Sequence, residues 1–125
     1  MRFMKINKGS ESAGPPPPAL MAAYAQLIEQ ATKTGELVQN GGLQPSAQGA
    51  RIRLSAGQLD VIDGPFAESK EIIGGFAIYE VESREKAVEL AMQSMKLIQE
   101  HWPGWEGECE LRQMWGPEDF PPPQS

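Results

Sequence analysis

Phe76-Ala77-Ile78-Tyr79-Glu80-Val81 is a run of aromatic, branched and small apolar residues preceded by Gly74-Gly75, the composition of a strand held in the middle of a sheet. Just beyond it, Ser83 offers a side-chain oxygen suited to capping a helix. Ala87, Val88, Ala91, Met92, Met95 and Ile98 then recur at spacings of three and four, forming one apolar stripe. Trp102 precedes Pro103, which disfavours helical geometry, so the helix ends near His101. Glu108-Cys109-Glu110-Leu111-Arg112 alternates charged and apolar side chains, as a strand with one wet face does. Residues 76–112 therefore read as strand, helix, strand.

The first half repeats that order. Residues 2–7 alternate weakly, with Met4 and Ile6 on one face and Phe3 beside them, and predict a first strand. Pro15 through Pro18 cannot donate backbone hydrogen bonds, so the helix is placed after them, from Ala19. Its stripe is Leu20, Tyr24, Leu27, Ile28 and Ala31, and Gly35 is a suitable stop. Leu37-Val38 is a short apolar pair; Asn40-Gly41-Gly42 and Pro45-Ser46 read as breakers, and a loop is expected there. Residues 51–54 and 59–62 flank Ser55-Ala56-Gly57-Gln58 and predict a hairpin. Two βαβ-like halves with an extra hairpin give an α+β fold, a ferredoxin-like plait. Leu27, Ile28, Val88, Ala91 and Met92 are expected to dock on one side of the sheet. The other side then needs an apolar partner, and a second copy of the chain is the simplest one. A homodimer, a dimeric α/β barrel-like assembly, is expected; the alternative is a monomer whose second face is covered by residues 35–50 and the tail.

At 125 residues the chain matches one domain, 1–125, with an irregular Pro-rich tail over 116–125. Its single cysteine, Cys109, allows no internal disulfide, and a cytoplasmic location is expected. No stretch approaches the ~20 apolar residues of a membrane span. A net charge of −6 argues against nucleic-acid binding.

Asp63-Gly64-Pro65-Phe66-Ala67-Glu68-Ser69-Lys70-Glu71 resembles the DGPFAETKE signature of the DGPF branch of the YCII-related family, with serine where threonine is usual. Gly42-Leu43-Gln44-Pro45-Ser46 is similar to the branch's Gly-Leu-His-Pro-Ser segment. The stretches Gly107-Glu108, Leu111-Arg112-Gln113 and Glu118-Asp119-Phe120 resemble its carboxy-terminal strand and tail. The resemblance implies a dimeric ferredoxin-like fold with a cleft between sheet and loops, and it carries no assigned reaction. Relatives encoded beside or fused to extracytoplasmic-function sigma factors imply a functional link to a sigma factor. Gln44 stands where many relatives have histidine, and an amide cannot exchange protons near neutral pH. The His-Asp pair proposed for the YCII branch has no counterpart either, since the only histidine, His101, ends the second helix.

Asp63 is the leading candidate for chemistry, although Asp-Gly-Pro is also a turn signal. An Asx-turn would use the backbone N–H of residue 65, which is proline, so the carboxylate is expected to seek Phe66 N–H, Lys70 or a ligand. A structural role for Asp63 is the favoured reading. Lys70 near Glu68 favours an ionised carboxylate and suits a charge clamp better than a general acid; exposed ion pairs worth under about 1 kcal/mol are the plain alternative. His101 reads as a helix-end residue, Trp102, Trp105 and Trp115 as core or dimer contacts, and Cys109 as packed. No metal-ligand spacing or phosphate loop is present, and no cofactor is expected. The sequence thus points to a ligand-binding or regulatory module with a polar cleft at the DGPF loop. Gln44, Ser46, Asp63, Phe66, Glu68 and Lys70 are the expected contacts for a small polar ligand. The alternatives are a small enzyme using Asp63 or Glu68 as acid or base in the dimer cleft, and a structural partner with no ligand.

Overall fold

The computed structural model describes residues 1–66 and 71–119. Along the chain run β1 (Arg2–Gly9), α1 (Pro18–Lys33), β2 (Leu37–Gly42), β3 (Ala50–Ser55), β4 (Gln58–Asp63), β5 (Ile72–Glu80), α2 (Arg84–His101) and β6 (Gly107–Gln113). The four long-range strands form an antiparallel sheet in the order β2-β5-β1-β6, with β3 and β4 as a separate hairpin inserted between β2 and β5. This is the α+β plait expected from the two halves, and β5 is central as its composition requires.

Phe3 pairs with Tyr79 and Lys5 with Ala77, and all four side chains are buried on the face that carries the helices. There Phe3, Leu37, Ala77, Tyr79 and Val81 pack with Ala87 and Leu90 of α2, flanked by Ile28 and Ala31 of α1 and Leu111 of β6. A fully buried aliphatic or aromatic side chain of this kind contributes about 1.5–3 kcal/mol. Ser83 caps α2, its hydroxyl oxygen accepting from Lys86 N–H at 3.1 Å, and the helix ends at His101 as expected.

Three expectations need correction. Helix α1 begins at Pro18 itself, because the first helical position needs no N–H and suits the fixed proline φ. Residues 40–42 are strand rather than loop: Gly41 lies opposite Phe76, whose ring leaves no room for a Cβ, so glycine there permits close pairing instead of ending it. On α2, Met92 is 50% exposed, while Leu90 and Ser94 are buried in its place. Trp115, expected as a core or dimer contact, is 75% exposed on the single chain and lies outside the core.

The hairpin turns through Ala56 and Gly57, both at positive φ, the geometry that matches strand twist. It presents Ile52 and Leu54 opposite Val61 and Leu59, all about 70% exposed. On the main sheet, Met4, Ile6, Phe76 and Ile78 alternate to the face opposite the helices, where they are only half-buried. No helix of the described residues is long and apolar enough to cross a membrane.

Candidate functional site

Small residues line the space between α1 and the sheet: Ala25 and Ala31 on the helix, Gly41, Gly74, Gly75 and Ala77 on the strands. They leave a cavity of about 790 Å³, within the range typical of small-molecule sites. Tyr24, Leu27 and Ile28 form its helix wall, and exposed Pro15, Pro16, Met21, Leu43, Gln44 and Pro45 form its rim. The lining is mostly apolar.

Its floor is not. Lys5 is 7% exposed and its ammonium donates to Ser94 Oγ of α2 at 2.6 Å. Loss of solvent pulls the Lys5 amine below the ordinary lysine value, with a smaller upward pull from Cys109. Burial raises the Tyr24 phenol, partly offset by Ser94, and raises the Tyr79 phenol far more. Burial also raises the Cys109 thiol, against a smaller pull from Lys5, in keeping with a packed side chain rather than a nucleophile. These neighbours stay neutral near pH 7, so none of them acts as counter-ion to Lys5. Two residues further along the same strand face, Asn7 Oδ1 is buried and, among the described residues, accepts no hydrogen bond.

The DGPF loop braces the rim. Buried Ser46 donates from both its backbone N–H and its hydroxyl to the Glu11 carboxylate, the hydroxyl at 2.7 Å. Phe66 N–H donates in turn to Ser46 Oγ at 3.0 Å, and Gly64 N–H to Gly49 C=O at 2.9 Å. A Cβ on Gly64 would run into the Ser46 carbonyl, so that position has room only for glycine. The Arg51 guanidinium lies 3.9 Å from the centre of the Phe66 ring, a cation–π contact.

Of the residues singled out from sequence, Gln44 borders the cavity, and Ser46 and Phe66 hold the loop behind its rim. Asp63 sits exposed at the end of β4, opposite Ala50, and its carboxylate has no hydrogen-bond or ionic partner among the described residues. The Phe66 N–H open to it is taken by Ser46. Glu68 and Lys70 lie outside the described residues. His101 ends α2 with Nε2 3.8 Å from the Glu100 carboxylate. Lys5, Asn7, Tyr24 and Ser94 were not among the sequence candidates. The available signal was Lys5 in phase with Phe3, a charged residue at an inward strand position.

Sheet, helices and lined cavity define a small α+β protein with an internal cavity on the helix side of the sheet. The chain belongs to the YCII-related domain family, whose pattern matches residues 1–95. It is 39% identical over 71 residues to an uncharacterized protein of Rhizobium meliloti (strain 1021), a match spanning 57% of this chain and 55% of that relative. Among solved structures it is similar to 5-chloro-2-hydroxyhydroquinone dehydrochlorinase of Burkholderia phenoliruptrix AC1100, in complex with 2,5-dihydroxybenzoquinone. That likeness has a TM-score of 0.47 at 16% identity and covers 94% of this chain and 97% of the other.

Proposed function

We propose that this chain is a ligand-binding module that holds a small amphipathic molecule in the cavity between α1 and the sheet, with the DGPF loop fixing the rim. The observation that carries this reading is the 790 Å³ apolar space floored by buried polar groups, one of them an acceptor without a partner among the described residues. Binding is better supported than acid–base catalysis from the DGPF loop, because Asp63 is exposed and stands outside the cavity lining. A small-molecule thermal-shift screen tests it: a true ligand at a hundred times its dissociation constant adds about 2.7 kcal/mol. Leu27→Trp, which fills the cavity, is expected to abolish the shift, and Asp63→Asn to leave it intact. A shift that survives Leu27→Trp but collapses in Asp63→Asn would move the site to the loop.

We also infer that two copies associate. Met4, Ile6, Phe76 and Ile78 form an apolar sheet face with no helix of the described residues over it, and the hairpin adds Ile52, Leu54, Leu59 and Val61. Sedimentation at micromolar concentration is expected to report twice the 13.7 kDa chain mass; a stable species at 13.7 kDa contradicts it.

A further inference from the structure

We propose that the cavity floor is a carboxylate site, with Lys5 as counter-ion and Asn7 as hydroxyl acceptor for a small, mainly apolar hydroxy acid. This rests on the cavity being a binding site and names the chemistry of its occupant. An ammonium carries three donors, and in this structure Lys5 spends one on Ser94. Around it, α1 contributes Tyr24, β5 Tyr79, β6 Cys109, and α2 only Ser94; among the described residues no carboxylate faces it. Lys8, which also borders the cavity, pairs with Glu110 at 2.7 Å, and Glu11 at the rim is engaged by Ser46. A buried amine without an anion is costly when charged, and a ligand carboxylate supplies the missing partner.

Asn7 lies on the same strand face, on the order of 7 Å along β1, and its Oδ1 needs a donor that no described residue provides. A carboxylate has no proton to offer it, whereas a hydroxyl does. The rest of the lining is apolar and suits an aromatic or branched body. Because the free Lys5 amine is shifted downwards and a carboxylate would shift it back up, binding takes up a proton once pH exceeds the free Lys5 value. Affinity then falls as pH rises, by up to tenfold per pH unit.

The test uses the whole chain and three probes: 4-hydroxyphenylacetate, phenylacetate, and the methyl ester of the first, with affinities measured by titration calorimetry. The hydroxy acid is expected to bind at least tenfold tighter than its ester and several-fold tighter than phenylacetate. Lys5→Met is expected to remove the preference for acid over ester, and Asn7→Leu the preference for the hydroxyl. Should Lys5→Met fail to fold, the pH dependence of the acid alone on the native chain is decisive. Equal binding of acid and ester, or an acid preference that survives Lys5→Met or does not weaken with rising pH, overturns the carboxylate site and leaves the cavity reading standing. Absence of binding by all three removes both.

Discussion

Leu20→Ala is expected to lose about 2–5 kcal/mol of unfolding free energy, while Leu27→Ala on the same helix loses less than half as much. Leu20 also borders the cavity but is 1% exposed, so truncation forfeits nearly all of its transfer energy and enlarges the void. Leu27 is only half-buried, so its outer atoms have fewer contacts to lose. Urea denaturation with a common m-value compares the two directly. Equal losses would mean that α1 lies flush on the sheet and that the cavity is closed.

Ser46→Ala is expected to cost about 1–3 kcal/mol, the price of leaving Phe66 N–H without an acceptor and Glu11 without the hydroxyl donor. Amide exchange at Phe66 should accelerate at least tenfold, since the loop would lose its tie to the rim. Gln44→Ala, two residues away and exposed, is expected to stay within about 0.5 kcal/mol. If the two substitutions behave alike, the DGPF loop is held by something other than Ser46.

The plait was legible because its signals are local. The strand at Phe76, the Ser83 cap, the Pro103 stop and the turn at Ala56-Gly57 each act within a few residues. Residues 40–42 misled because Gly41 answers to the Phe76 ring, a cross-strand neighbour that spacing along the chain does not reveal. Met92 misled because a stripe fixes a helical face only to within about one residue, and the sheet chose Leu90, Ala91 and Ser94. The polar floor showed only as Lys5 in phase with Phe3, a faint signal for a related reason. Lys5 is one of several lysines in the sequence, and only the pairing of β1 between β5 and β6 turns it inward beneath α2. The DGPF motif drew attention to residues 63–66, which the structure places as a brace whose tie to Ser46 spans 20 residues of chain.

Burial of Lys5 also has a pH signature. The folded chain binds fewer protons than the unfolded chain between the lowered Lys5 value and 10.5, so this group's contribution to stability rises with pH across that window. Proton uptake on carboxylate binding narrows the window. Heteronuclear NMR titration of the Lys5 side-chain amine, free and with saturating 4-hydroxyphenylacetate, reads both effects at the atom concerned. In the free protein it is expected to titrate clearly below 10.5, and in the bound protein to move back up. An amine that titrates at 10.5 when free, or that ignores the acid, would contradict the buried lysine floor and the site built on it.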